Sequence, residues 1–431
     1  MPKVNLISLG CSKNTVDSEN LAGALSKAGF EVEFDAKEVN YDYVLINTCG
    51  FIDKAKEESI DLILAYVTFR KRENKHFKVI VFGCLAQRYK DDLQEQIPEI
   101  DKIFGLMQQK DIIAYLKQNT HFEPSGCFRQ LSTPKHYAYI KISEGCDRNC
   151  SFCAIPMIRG RHISRPMEDI IKEAQTLAQQ GVKELILIAQ DTSYYGLDLY
   201  KERKLYDLLK ALCKVDVHWI RLQYSYPNQF PMEVLSLMKE ENKICHYLDL
   251  PLQHINNSVL KSMQRQTTAE EIKSFISQIR QTIPDIALRT TFIVGYPSEK
   301  QPEFEELKEF VAQTKFDRMG AFTYSKEEGT KAGSFKYKVP KKEKKRRLDE
   351  LTFLQEGISL SLNQQKIGKV FEVLIDRKEG EFFVGRTQYD SPEVDNEVLI
   401  SLDSNLKIGE FYNVKINSAD TFDLYGEVVS L

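Results

Sequence analysis

The N-terminal part of the chain repeats one pattern three times: an apolar, β-branched run, then a cysteine, then a helical period. "KVNLISLG" leads to Cys11 and a helical pattern from about Thr15 to Ala28. "YDYVLINT" leads to Cys49 and the amphipathic "DKAKEESIDLILAYVTF", and "FKVIVFG" leads to Cys84 and "LAQRYKDDLQEQI". Short strands alternating with helices predict a parallel sheet with crossover helices. Open sheets of this kind bind ligands beyond the carboxyl ends of their strands. Three cysteines far apart in sequence are therefore expected on one edge. A single buried cysteine is ordinary core filling, but three at the same structural position point to a metal site. No G-x-G-x-x-G follows the first strand, which disfavours a dinucleotide fold.

A chain of 431 residues exceeds one hydrophobic core, so several domains are expected. A Pro- and Gly-containing stretch marks a linker at 121–136, with Cys127 in it as a bystander; the first domain then spans 1–120. Strand–helix alternation restarts at Tyr137 and continues through "YAYIKIS", "ELILIA", "HWIRLQY", "HYLDLPL", "LRTTFIVG" and "MGAFTYS". Six such units over 137–365 predict a partial (β/α)6 barrel with its chemistry at the C-terminal strand ends. The remaining residues, 366–431, show short alternating runs that suggest a small antiparallel β-barrel. The basic run "KYKVPKKEKKRRLDE" before it reads as a solvated helix face. Nine cysteines behind an N-terminus without signal-peptide order imply a reducing, cytoplasmic setting. No apolar run is long enough for a membrane span.

After the first barrel strand comes "EGCDRNCSFCAIP", which places Cys146, Cys150 and Cys153 within eight positions. Thiolates suit zinc or iron–sulfur clusters. A closed zinc site needs a fourth ligand, and His162, nine residues past Cys153, lies outside the usual spacings. A 4Fe–4S cluster held by three thiolates leaves one iron open for a substrate.

Cys146-x3-Cys150-x-Phe152-Cys153 resembles the loop of the radical S-adenosylmethionine superfamily. The resemblance implies that the open iron chelates S-adenosylmethionine and that Phe152 lies near its adenine. Gln190 in "AQDTSYYG", Tyr224 in "LQYSYP" and Gly295 in "FIVGYPSE" stand at later strand ends and would complete that pocket. The order of the three modules resembles the methylthiotransferases along essentially the whole chain. That family implies a second 4Fe–4S cluster on Cys11, Cys49 and Cys84, and a TRAM barrel that contacts the substrate.

"SLGCSKNTVDSE", "INTCGFIDKAKEESI", "YIKISEGC", "YLDLPLQH" and "GRTQYDSPEVD" look like the branch that modifies an aspartate of small-subunit ribosomal protein twelve. The other branch modifies an adenosine of transfer RNA; a non-catalytic iron–sulfur electron carrier is the alternative from another class. Ser12 stands where proline is usual and Asp147 where asparagine is usual, and neither is a ligand position. Residues 366–431 hold 7 Lys+Arg against 13 Asp+Glu, a net of −6. That balance suits a basic protein better than RNA phosphates, so direct binding of transfer RNA is not expected. Asp390, Glu393 and Asp395 of "YDSPEVD" are expected to face that substrate. The resemblance further implies a reductant such as flavodoxin or ferredoxin and a sulfur donor. His254 reads as a structural residue, and the lone Cys213 and Cys245 read as core residues.

Overall fold

The computed structural model describes residues 1–117, 129–403 and 405–430, so Cys127 and part of the expected linker lie outside the described residues. The chain divides into two compact units. One comprises Met1–Thr133, Glu144–Asp147 and Ala154–His162; the other comprises Pro134–Ser143, Arg148–Cys153 and Ile163–Leu431.

The first unit is built on a parallel sheet of β1 (Lys3–Ser8), β2 (Glu31–Phe34), β3 (Tyr43–Thr48), β4 (Lys78–Gly83) and β5 (Lys102–Ile103). Its order is β2-β1-β3-β4-β5. Leu6, Leu45 and Ile80 pack on one face with Leu21, Ala22 and Leu25 of helix α1 (Ser12–Lys27). Ile7, Val44, Ile46, Val79 and Val81 pack on the other with Ile63 and Val67 of helix α2 (Asp53–Arg72). Burial of both faces explains why these strands read as unbroken apolar runs, and each buried side chain contributes about 1.5–3 kcal/mol. Helix α1 starts at Ser12, one turn before the expected Thr15. Cys11 is its N-cap in an extended conformation, and its carbonyl accepts the N–H groups of Asn14 and Thr15. No Ser, Thr, Asp or Asn side chain caps this end, so the start carries no sequence signature.

The second unit contains the six expected strands: β6 (Tyr137–Lys141), β7 (Glu184–Ile188), β8 (Trp219–Leu222), β9 (Ile244–Gln253), β10 (Ala287–Val294) and β11 (Arg318–Thr323). They lie side by side in chain order, all parallel. A closed barrel follows, made of β12 (Val370–Glu379), β13 (Phe382–Arg386), β14 (Glu397–Ser401), β15 (Phe411–Ala419) and β16 (Asp423–Val428). It is antiparallel except between β14 and β16. An odd number of strands cannot close with every neighbour reversed, so one parallel pair is required. Among the described residues no helix is long and apolar enough to cross a membrane.

The "GRTQYDSPEVD" loop overturns one expectation. The Asp390 and Asp395 carboxylates are buried among charged residues of the six-stranded sheet, while Glu393 stays exposed. Tyr137 and Glu184 share one sheet face with Arg221, and Asp249, Arg289 and Arg318 are in register with one another. Asp390 is 1% exposed and accepts from Arg318 Nε at 3.0 Å and Thr387 Oγ1 at 2.6 Å. Asp395 accepts from Tyr247 Oη at 2.7 Å and Arg289 Nε at 3.2 Å. Glu393 accepts from Tyr137 Oη at 3.2 Å. The basic run also departs in part from a solvated face, because Arg347 is buried and donates to Glu299 Oε1 at 2.8 Å.

Candidate metal centres

Cys11, Cys49 and Cys84 follow β1, β3 and β4, three adjacent strands, at their carboxyl ends. Asn14, fully buried, ties the three strand ends together. Its Nδ2 donates to the carbonyls of Leu9 (2.8 Å) and Thr48 (3.2 Å), and its Oδ1 accepts from Cys84 Sγ at 3.6 Å. The Cys49 N–H donates to Ser59 Oγ of α2 at 3.0 Å, and Ser59 returns a bond to the Cys49 carbonyl. Gly10 has φ +97°, and a Cβ there would lie 3.0 Å from Cys49 Sγ, so this close approach requires glycine. Arg159 Nη2 donates to Asn14 Oδ1 at 2.6 Å and Nη1 to Glu144 Oε1 at 2.8 Å.

Burial pushes the Cys84 thiol up to about 11 and also raises Cys49; neighbouring Cys11 adds to both and the Arg159 charge opposes. Binding a cation would displace these protons. Cys11 is exposed, which gives a route in. Among the described residues no three ligand-type side chains already stand in metal-ligating geometry. The donor set of free thiols nevertheless fits a soft metal or an iron–sulfur cluster.

The second cysteine set lies in the loop after β6. In the first unit, the Cys146 N–H donates to the Gly160 carbonyl at 3.1 Å, and Asp147 Oδ1 accepts the His162 N–H at 3.1 Å. An asparagine oxygen could accept that bond equally, so the departure at 147 is neutral. Ser12 occupies the first helical position, where proline is also accommodated. In the second unit, the Cys153 N–H donates to the Cys150 carbonyl at 3.1 Å. Between them, Ser151 bonds the Tyr296 hydroxyl at 2.7 Å and donates to the Ser262 carbonyl at 2.9 Å. Phe152 packs against Val259, Met263 and Tyr296.

Gln190, Tyr224 and Gly295 lie just beyond β7, β8 and β10, as expected for strand-end positions. Phe152 and Tyr296, the neighbour of Gly295, share one cluster. Tyr224 adopts φ +58°, its N–H donates to Asp249 Oδ2 at 3.1 Å, and its carbonyl accepts the Thr192 N–H. Gly295 has φ +71°, and a Cβ there would collide with the Lys344 side chain. His254 is fully buried with a pKa pushed down to about 3 by burial and then by Arg347. It is structural, as the sequence suggested. Cys245 is core, packed with Trp219 and Tyr247, whereas Cys213 is half-buried at a helix end.

Sequence reasoning missed the polar residues around both sets. Asn14 and Arg159 stand three residues after Cys11 and six after Cys153, close enough in sequence to have been suspected. Arg148, inside the cysteine loop, donates from Nε to Asp191 Oδ2 at 2.9 Å, and its guanidinium lies 4.0 Å from the Tyr226 ring centroid. Arg265, 112 residues after Cys153, offered no local signal.

Three family models match the chain in the order the folds suggest: Uncharacterized protein family UPF0004 at residues 3–105, Radical SAM superfamily at 140–311 and TRAM domain at 367–429. Ribosomal protein uS12 methylthiotransferase RimO of Cytophaga hutchinsonii is 52% identical over 99% of this chain and 98% of its own length. RimO of Flavobacterium johnsoniae is 54% identical over 99% of this chain and 98% of that protein. The chain belongs to the RimO family of methylthiotransferases. RimO of Bacteroides thetaiotaomicron, at 48% identity over 99% of this chain and 98% of its own length, extends the family match. Among solved structures, the radical S-adenosylmethionine methyltransferase TsrM from Kitasatospora setae superposes with a TM-score of 0.56 at 15% identity, covering 77% of each chain. The cobalamin-dependent radical enzyme OxsB gives 0.52 at 14% identity over 83% of this chain and 56% of that one. At such identities these two speak for the fold alone.

Proposed function

We propose that this chain transfers a methylthio group to the β-carbon of an aspartate in ribosomal protein uS12. The observation that carries this reading is about 50% identity to RimO proteins along essentially the whole chain. The domains would run 1–120, 137–365 and 366–431, with the linker at 121–136, in a cytoplasmic protein. Cys146, Cys150 and Cys153 would hold one 4Fe–4S cluster with an iron left for S-adenosylmethionine, and Cys11, Cys49 and Cys84 a second cluster. When bound, these groups would supply the 5′-deoxyadenosyl radical for hydrogen abstraction and the methylated sulfur. One S-adenosylmethionine would serve each role. Phe152, Gln190, Tyr224 and Gly295 would line the S-adenosylmethionine pocket. A one-electron reductant such as flavodoxin or ferredoxin and a sulfur donor would complete the system.

The chain itself contributes position and shielding. Asn14 and Ser59 fix the strand-end cysteines, and Ser151 with Tyr296 fixes the turn between Cys150 and Cys153. No general base is needed, because an aspartate β-hydrogen is removed as an atom rather than a proton. His254 could not serve as one, being fully buried and spent on the Asn256 N–H.

Charge supports a protein over RNA, although less strongly than the bare count suggests. With the internally paired Asp376, Asp390, Asp395 and Arg386 set aside, 6 Lys+Arg still stand against 10 Asp+Glu in residues 366–431. An acidic module is poorly suited to phosphate binding. The test is mass spectrometry of uS12 from cells with and without this gene. A methylthio mass gain on one aspartate, present only with the gene, is expected; an unchanged uS12 beside an altered transfer RNA adenosine would move the protein to the RNA branch.

A further inference from the structure

Two guanidinium groups lie over the Tyr226 ring, Arg148 at 4.0 Å and Arg265 at 3.9 Å from its centroid. Their charges are balanced differently. Arg148 pairs with the Asp191 carboxylate at 2.9 Å. Arg265, 8% exposed, pairs with no carboxylate among the described residues. Its Nη2 donates to the Pro251 carbonyl at 2.6 Å, its Nη1 points at Cys150 Sγ at 3.6 Å, and its Nε has no acceptor. Moving a cation out of water costs several kcal/mol unless an anion compensates it. A guanidinium cannot escape by losing its proton. The anion-forming group that Arg265 reaches is the Cys150 thiol, the middle member of the C-x3-C-x2-C loop.

We propose that Arg265 is a positioning residue that holds the Cys150 thiolate and raises the readiness of the cluster on Cys146, Cys150 and Cys153 to accept its electron. The proposal rests on reading that loop as the radical cluster's ligand set. Reduction adds one electron to the cluster, breaks no bond and makes the site one charge more negative. A fixed cation and an N–H···S hydrogen bond favour the reduced form more than the oxidised one. The planar fork lets one guanidinium hold Pro251 and Cys150 together, whereas lysine would keep the charge but not both bonds.

The test uses full-length wild type, Arg265→Gln and Arg265→Lys, each loaded with iron and sulfide without oxygen. Dithionite supplies the electron in a mediated redox titration. The readout is the electron paramagnetic resonance signal that changes when S-adenosylmethionine is added. The Gln variant should keep its iron, while its reduced-to-oxidised ratio at a fixed potential falls about tenfold, 59 mV for a one-electron couple. The Lys variant should recover most of that ratio. A Gln variant with full iron and a wild-type midpoint would overturn the proposal. If the Gln variant loses its iron, the Lys variant decides: full iron supports the charge role, and loss there too overturns it in favour of plain packing. A wild type that lacks any signal responsive to S-adenosylmethionine would instead remove the reading on which the proposal rests.

Discussion

At His254, burial removes water from both ring nitrogens, and the bond it makes, Nδ1 accepting the Asn256 N–H at 3.0 Å, suits a neutral ring. Its charged neighbours are Arg347, which disfavours a second cation, and Glu299, whose carboxylate lies 3.8 Å from Nε2. The folded pKa of about 3 lies below the ordinary 6.5. Protonation therefore favours the unfolded chain, and the stability is complete above 6.5 and lost as pH falls toward 3. Between pH 6.5 and 5 the loss should reach about 2 kcal/mol. Denaturant melts of wild type and His254→Gln at both pH values test this; parallel pH trends in the two proteins would refute it. The cysteines make separate residue-scale predictions. Cys146→Ala should abolish cleavage of S-adenosylmethionine, whereas Cys49→Ala should still release 5′-deoxyadenosine but transfer no methylthio group. Assay of 5′-deoxyadenosine beside modified uS12 separates the two, and equal loss of cleavage in both folded variants would contradict the assignment.

The loop Thr387–Asn396 shows how an element can satisfy the same residue types in two opposite ways. Its run of Asp and Glu reads in sequence as an exposed acidic surface, yet Asp390 and Asp395 compensate Arg318 and Arg289 on the six-stranded sheet. The Arg318 charge holds the Asp390 carboxyl below the usual carboxylate range, despite burial. Asp390→Asn would leave Arg318 buried without its counter-charge, a loss of about 3–5 kcal/mol. Glu393→Gln weakens one bond to the Tyr137 hydroxyl and should cost about 1 kcal/mol. Thermal unfolding of both variants checks the contrast, and equal small shifts would mean that the loop is not anchored by charge. Since the pairing is formed by ionised Asp390, its contribution should be present above about pH 4 and fade below it. A direct effect of Asp390→Asn on substrate capture, independent of folding, is not expected.

For the whole molecule, the six cysteines of the two strand-end sets should together hold about eight irons per chain. Changing Cys11, Cys49 and Cys84 to Ala, or Cys146, Cys150 and Cys153 to Ala, should each remove about half, measured by iron analysis and visible absorption after anaerobic loading. Cys213→Ser and Cys245→Ala should leave the iron unchanged. Stoichiometric zinc without iron–sulfur absorption would overturn both assignments, and iron loss in the Cys213 variant would add a ligand.

The three cysteine-bearing strands of the first sheet and the six of the second were legible in the sequence because period and apolarity are local, whereas the short edge strands β2 and β5 and the order of the first sheet were not. "YVLIN" and "KVIVFG" are buried on both faces, and Cys11, Cys49 and Cys84 lie within three residues of the ends of their strands. The six cysteines stand out by strand-end position and spacing, whereas the place of Phe152 comes from the resemblance of its loop to a known family. The parallel β14–β16 pair could not be read, because closure of five strands is a property of the ring and not of any segment. The destination of Asp390 and Asp395 depended on Arg318 and Arg289, which lie 72 and 106 residues away from them. The contact of Arg265 with Cys150 spans 115 residues and leaves no periodic trace. Local chemistry sets which residues are apolar, charged or metal-seeking. Which buried charge meets which counter-charge is decided by folding, since desolvation makes each one find a partner wherever the chain brings it.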